Sequence, residues 1–68
     1  MKLDTAVLKR ARILQGMTQV DLAKAMKSWP QTVRAWESGK TMPRPATFRR
    51  LSRVLRLKPR ELLSEDDK

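Results

Sequence analysis

Two neighbouring stretches decide the fold: Thr18-Gln19-Val20-Asp21-Leu22-Ala23-Lys24-Ala25-Met26 and, after Lys27-Ser28-Trp29, Pro30-Gln31-Thr32-Val33-Arg34-Ala35-Trp36-Glu37-Ser38-Gly39. In the first, Thr18 and Asp21 are spaced like a capping box with a shorter acid in place of Glu. That predicts a helix over about 19–26 with Val20, Leu22, Ala23 and Met26 inward. In the second, Pro30 suits a first helical turn, where its missing N–H would have no intrahelical partner, and Gly39 supplies the stop. The prediction is a helix over 30–38 with Val33 and Trp36 on its buried side. The two stretches thus read as short helices across a brief break.

The helical period persists on both sides of these stretches. Asp4 or Thr5 can cap a first helix over about 5–15, with Leu8, Ala11 and Arg12 on one face and Gly16 at its end. Lys40–Pro45 is a loop between Gly39 and two prolines. Pro45 or Ala46 opens a fourth helix to about Leu55, with Phe48, Leu51, Val54 and Leu55 inward. Leu57-Lys58-Pro59 breaks the chain again, and Pro59 starts a last turn carrying Leu62 and Leu63. No run alternates as a strand would, and β-branched residues are few. The expectation is an all-α bundle of five short helices, one domain over 1–68 with its core in about 5–63 and an acidic, frayed tail at 64–68. The candidate core is Leu8, Ala11, Val20, Leu22, Ala23, Met26, Val33, Trp36, Phe48, Leu51, Val54, Leu55, Leu57, Leu62 and Leu63.

Composition narrows the function. The 68 residues hold 16 Lys+Arg against 7 Asp+Glu, a formal charge of +9, with no His and no Cys. No disulfide or thiolate metal site can form, and the commonest general base is missing, so no catalysis, cofactor or small-molecule ligand is expected. No apolar run approaches the ~20 residues that cross a bilayer, and the start does not read as a secretory signal, so a soluble cytoplasmic protein is expected. Charge is uneven: residues 1–60 carry 15 basic groups and three acids (Asp4, Asp21, Glu37), about +12, while the last eight residues sum to −3. A polyanion is the implied partner.

The segments Arg12-Ile13-Leu14-Gln15-Gly16-Met17-Thr18-Gln19-Val20-Asp21-Leu22-Ala23 and Gln31-Thr32-Val33-Arg34-Ala35-Trp36-Glu37-Ser38-Gly39-Lys40 together resemble the Cro/repressor-type (XRE-like, lambda-repressor-like) helix-turn-helix family of phage and bacterial regulators. The resemblance covers about residues 5–63. It implies a transcriptional regulator, a repressor, that reads double-stranded DNA with its third helix in the major groove, as a homodimer on a two-fold operator. An antitoxin-type protein-interaction module with secondary DNA binding is the alternative.

Carried over position by position, the resemblance implies base contacts from Gln31, Thr32, Arg34 and Ala35. Gln can pair with adenine, Arg with guanine O6 and N7, and Thr or Ala can touch a thymine methyl. Ala35 can equally stand there for helix propensity alone. Backbone contacts are implied for Thr18, Gln19, Lys27, Ser28, Trp29, Lys40, Thr41, Arg44 and Arg49, with Thr18 also an N-cap in its own right. Arg12 and Glu37 are implied as a structural ion pair. Arg49, Arg53, Arg56 and Arg60 form a stripe of which only the front reaches DNA. Leu57, Leu62 and Leu63 are candidates both for dimer contacts and for core filling.

The chain departs from the family pattern at Lys27 and Arg56, where glycine is usual. A left-handed backbone there costs lysine or arginine on the order of 1 kcal/mol. Trp29 stands where the family has a small capping residue such as Ser or Thr, and Pro30 where it has a polar, often DNA-contacting one. Either the indole is exposed at the groove edge, or it folds back over the second helix while Ser28 takes over capping.

Overall fold

The computed structural model describes residues 2–64. The elements run β1 (Lys2–Leu3), α1 (Thr5–Leu14), α2 (Gln19–Ala25), α3 (Pro30–Ser38), α4 (Pro45–Val54), a 3-10 turn (Pro59–Leu62) and β2 (Leu63–Ser64). The fold is mostly helical, four α-helices and a single-turn fifth segment, as the spacing predicts. Each helix starts where its signal stands. Asp4 caps α1, its Oδ1 accepting from the Val7 N–H at 3.2 Å. The Thr18 hydroxyl accepts from Asp21 N–H at 3.0 Å while the Asp21 carboxylate accepts from Thr18 N–H at 2.9 Å, which completes the capping box of α2. Proline occupies the first turn of α3, α4 and the 3-10 turn.

All four helices end alike. The N–H one residue past a left-handed position returns to the carbonyl five positions back: Met17 to Arg12, Ser28 to Ala23, Lys40 to Ala35 and Leu57 to Ser52, at 2.8–3.1 Å. This closure needs one left-handed residue. Gly16 (φ 73°) and Gly39 (φ 80°) supply it for α1 and α3, and Lys27 (φ 54°) and Arg56 (φ 59°) for α2 and α4. The two departures from the family pattern therefore sit in the strained conformation the sequence implies.

The core joins Leu8 and Ala11 of α1, Leu22 and Ala23 of α2, Met26, Val33 and Trp36 of α3, Phe48 and Leu51 of α4, Leu55 and Leu62. Val54, Leu57 and Leu63 pack against it from half-buried positions. One core expectation is corrected, one open alternative is decided, and one small element is added. Val20 is 47% exposed, because it lies more than a quarter-turn from the face shared by Leu22, Ala23 and Met26. Leu62 is fully buried, which removes it as a dimer contact. The all-α expectation missed a two-residue antiparallel pair with Lys2 opposite Ser64 and Leu3 opposite Leu63. The Asp4 N–H donates to the Leu62 carbonyl at 2.7 Å beside it. This pairing ties the start of α1 to the 3-10 turn, brings Leu3 into the core, and takes Ser64 out of the expected tail. The rest of that tail, 65–68, lies outside the described residues.

Candidate nucleic-acid interface

The α3 helix is amphipathic at the helical period. Val33 and Trp36 are buried, while Gln31, Arg34 and Ser38 are exposed on the opposite side. Gln31, Arg34, Ala35 and Ser38 fall at i, i+3, i+4 and i+7, and with Lys40 they line one shallow depression. Of the four residues expected to read bases, Gln31, Arg34 and Ala35 thus share a surface, Ala35 from a half-buried position. Thr32 is half-buried one step round the helix and does not line it. Ser38 is the addition. Its i+7 relation to Gln31 was readable in the sequence, and its hydroxyl donates to the Ala35 carbonyl at 3.0 Å.

Of the residues expected at the phosphate backbone, Lys40 shares this depression, while Arg49 lines a separate one with Ser52, Arg53, Leu57, Lys58 and Pro59. Lys40 and Thr41 are exposed, and their N–H groups return to the Ala35 carbonyl at 3.0 and 3.4 Å, which folds the loop onto the end of α3. Arg44, Arg49 and Lys27 are exposed, Ser28 is half-buried, and Thr18 is exposed at the start of α2. Trp29 is 73% exposed, so the indole does not fold back over α2. As the residue before a proline it is held extended (φ −110°, ψ 149°) and serves as the N-cap of α3 without a side-chain cap bond, so Ser28 does not take over capping.

A polar knot fixes α3 relative to its supports. The Arg12 guanidinium binds Glu37 through Nε to Oε2 and through Nη2 to Oε1 at 3.3 Å, and Nη1 donates to the Met17 carbonyl at 2.8 Å. Gln19 Nε2 donates to Glu37 Oε1 at 3.1 Å. The paired side chains are only 10% and 7% exposed. One carboxylate from α3 thus meets α1 and α2 together, and Arg12 ties down the turn between them. The ion pair is as expected, whereas the third partner is not: Gln19, expected at a phosphate, already spends one amide N–H on Glu37.

The acids explain the electrostatics. Asp4 accepts from Val7 N–H, Asp21 from Thr18 N–H, Glu61 from Lys58 N–H at 2.7 Å, and Glu37 from Arg12 and Gln19. Every described carboxylate therefore serves a helix end or the knot. Among the described residues Arg12 forms the ion pair with Glu37, and Lys24 lies near enough to Asp21 to feel its charge. The Thr18 backbone N–H, then its hydroxyl and the nearby Lys24 charge, hold the Asp21 carboxyl below its ordinary value.

A helix-turn-helix family model, HTH_3, matches residues 8–62. The chain belongs to the HTH_3 helix-turn-helix family, of the XRE/Cro type. This helix-turn-helix domain is 35% identical over 54 residues to multiprotein-bridging factor 1c of Arabidopsis thaliana and to endothelial differentiation-related factor 1 of Rattus norvegicus. The alignments take in 79% of this chain and 36% of each relative, so the domain spans about a third of their length. Among solved structures it superposes on hydroxypropylphosphonic acid epoxidase from S. wedmorenis with a TM-score of 0.81 at 28% identity, over 88% of this chain and 32% of that one. On the SOS-response repressor LexA of Eubacterium rectale the TM-score is 0.83 at 22% identity, over 96% and 69%. The epoxidase match involves a third of that chain and brings no enzymatic activity to this one. No helix among the described residues is long and apolar enough to cross a membrane.

Proposed function

We propose that this helix-turn-helix domain is a sequence-specific, double-stranded DNA-binding transcriptional repressor, acting in the cytoplasm on the nucleoid. It works as one domain and lays the Gln31–Arg34–Ala35 face of α3 in the major groove. The observation that carries the reading is that this face is presented outward beside Lys40 while every described carboxylate is engaged elsewhere. Such a surface has donors for base edges and unneutralised charge for phosphates. Thr18, Lys27, Ser28, Trp29, Lys40, Thr41, Arg44 and Arg49 frame it as backbone contacts, and Gln19 contributes its remaining amide N–H. A domain this small offers a limited interface, so tight binding calls for a dimer on a two-fold site. The reading assigns no catalytic step, cofactor or small-molecule ligand.

Selection from a random duplex pool tests it. The expected result is an enriched inverted repeat whose half-site preference changes in Gln31→Ala and Arg34→Ala. The Arg34 change should cost about 1–3 kcal/mol at a guanine position. Enrichment that stays the same in both variants would remove direct readout by this face. Affinity should fall steeply with salt, each neutralised phosphate adding about −0.9 to the log–log slope. A slope near zero would remove DNA as the partner.

A further inference from the structure

The side of α1 opposite its core residues has no function in the reading above. Leu8, Ala11 and Arg12 point inward, while Ala6, Lys9, Arg10, Ile13 and Leu14 line a shallow apolar groove on the outside. Ile13 is 57% and Leu14 76% exposed, two large aliphatic side chains set next to each other in water. Arg12 leaves the other side of the helix to reach Glu37, so the groove is turned away from α3. A duplex on α3 would leave it open.

Charge decides what can cover it. No carboxylate lines the groove, and all the described ones are committed to helix ends or to Arg12. The body of a second copy, with 15 basic groups against three acids over residues 1–60, would set Lys9 and Arg10 against more cations. The occupant must therefore bring apolar groups to Ile13 and Leu14 and carboxylates to Lys9 and Arg10. We propose that the outer face of α1 docks an acidic amphipathic helical segment of a partner protein, one carrying large apolar residues three or four apart flanked by Asp and Glu. Apolar contact gives affinity, and the two cations give orientation and rate of encounter. The inference is independent of DNA binding and describes a second, simultaneous partner.

The test is selection of random 16-residue peptides displayed on phage against the whole chain, in the presence and absence of saturating duplex. Enriched peptides should combine paired Leu, Ile, Phe or Trp with Asp and Glu, and should bind equally well with duplex present. They should lose at least tenfold in affinity for Ile13→Ser/Leu14→Ser and for Lys9→Glu/Arg10→Glu. Both double variants change exposed positions, so melting temperature is expected to stay within a few degrees. Duplex affinity of Ile13→Ser/Leu14→Ser is expected within twofold of the parent. No enrichment would overturn the proposal, as would enriched peptides that bind the serine variant undiminished. Equal loss of duplex binding in the serine variant would assign the face to DNA instead. Phosphatidylglycerol vesicles that bind the parent but not the serine variant would assign it to a lipid surface.

Discussion

The two halves of this domain share one apolar core but differ in what orients them. The half that presents α3 converges on one polar knot, in which Glu37 meets Arg12 and Gln19 and Arg12 also holds the Met17 carbonyl. The closing half (α4, the 3-10 turn and the strand pair) has no described ion pair and relies on Phe48, Leu51, Leu55 and Leu62 with a short backbone ladder. Apolar packing is tolerant of small rotations. A bidentate guanidinium–carboxylate pair is not, because its hydrogen bonds need planar alignment. The contrast places directional bonding where the orientation of α3 matters and non-directional burial where only closure matters.

Breaking the knot from one side should produce the largest effect. Glu37→Ala leaves the Arg12 guanidinium buried without its carboxylate, a loss of about 3–5 kcal/mol. That consumes much of the total for a chain of this length, about 3–10 kcal/mol. Arg12→Ala should cost a similar amount and also orphans the Met17 carbonyl. The Arg12→Met/Glu37→Leu double variant should recover a substantial part, since removing both charges avoids the desolvation cost. Urea denaturation of the parent, Glu37→Ala, Arg12→Ala and Arg12→Ala/Glu37→Ala gives the coupling energy, and a value near zero would mean the pair is no knot. In the closing half, Leu62→Ala should cost about 2–5 kcal/mol through an unfilled cavity, with no second-site rescue by charge. At temperatures where both variants are folded, Glu37→Ala should weaken DNA binding more than Leu62→Ala, because only the former frees α3.

Much of this was legible in residues whose signals are local. Asp4, Thr18, Pro30 and Pro45 mark the helix starts, and Gly16 and Gly39 mark two of the ends, since caps depend only on chemistry within four residues. The strained ends at Lys27 and Arg56 were legible through the family pattern. The strand pair was not, because two residues per strand are too few to show a period and the ladder joins backbone atoms some sixty positions apart. Val20 misled because an apolar residue on a seven-residue helix can fit the template and still face water. On the candidate site, the spacing of Val33 and Trp36 fixed the inward side of α3, while the outward Gln31, Arg34 and Ala35 were legible through the family pattern. The Gln19–Glu37 bond depends on how three helices pack and has no sequence signature.

The four helix ends offer a finer version of the comparison. Lys27 belongs to the α3 half and Arg56 to the closing half, and both hold a left-handed backbone that glycine would adopt without strain. Lys27→Gly and Arg56→Gly should each raise stability by about 0.5–1 kcal/mol, the relief of strain exceeding the added flexibility of the unfolded chain. Their effects on DNA should differ. Loss of the Lys27 charge is expected to reduce affinity and the salt slope, whereas loss of Arg56 should leave the slope near its original value. Equal changes in slope would erase the distinction between the halves.

The smallest effect concerns the start of α2, and pH reveals it. Asp21 is held below its ordinary titration value by the Thr18 N–H, the Thr18 hydroxyl and Lys24, so folding favours its ionised form. The linked stabilisation is fully present above the unfolded value, about 3.9, and disappears as pH falls through the lower folded value. Asp21→Asn cannot titrate. The melting temperature of the parent should therefore exceed that of Asp21→Asn at neutral pH, and the gap should close on acidification below about pH 4. Thr18→Ala should shrink the gap at neutral pH as well, since it removes one of the bonds that favour the carboxylate. A gap that stayed constant from neutral to acid would mean the capping box stabilises α2 through shape alone. The charge at Asp21 would then cost DNA affinity, by repelling phosphate, without any return in stability.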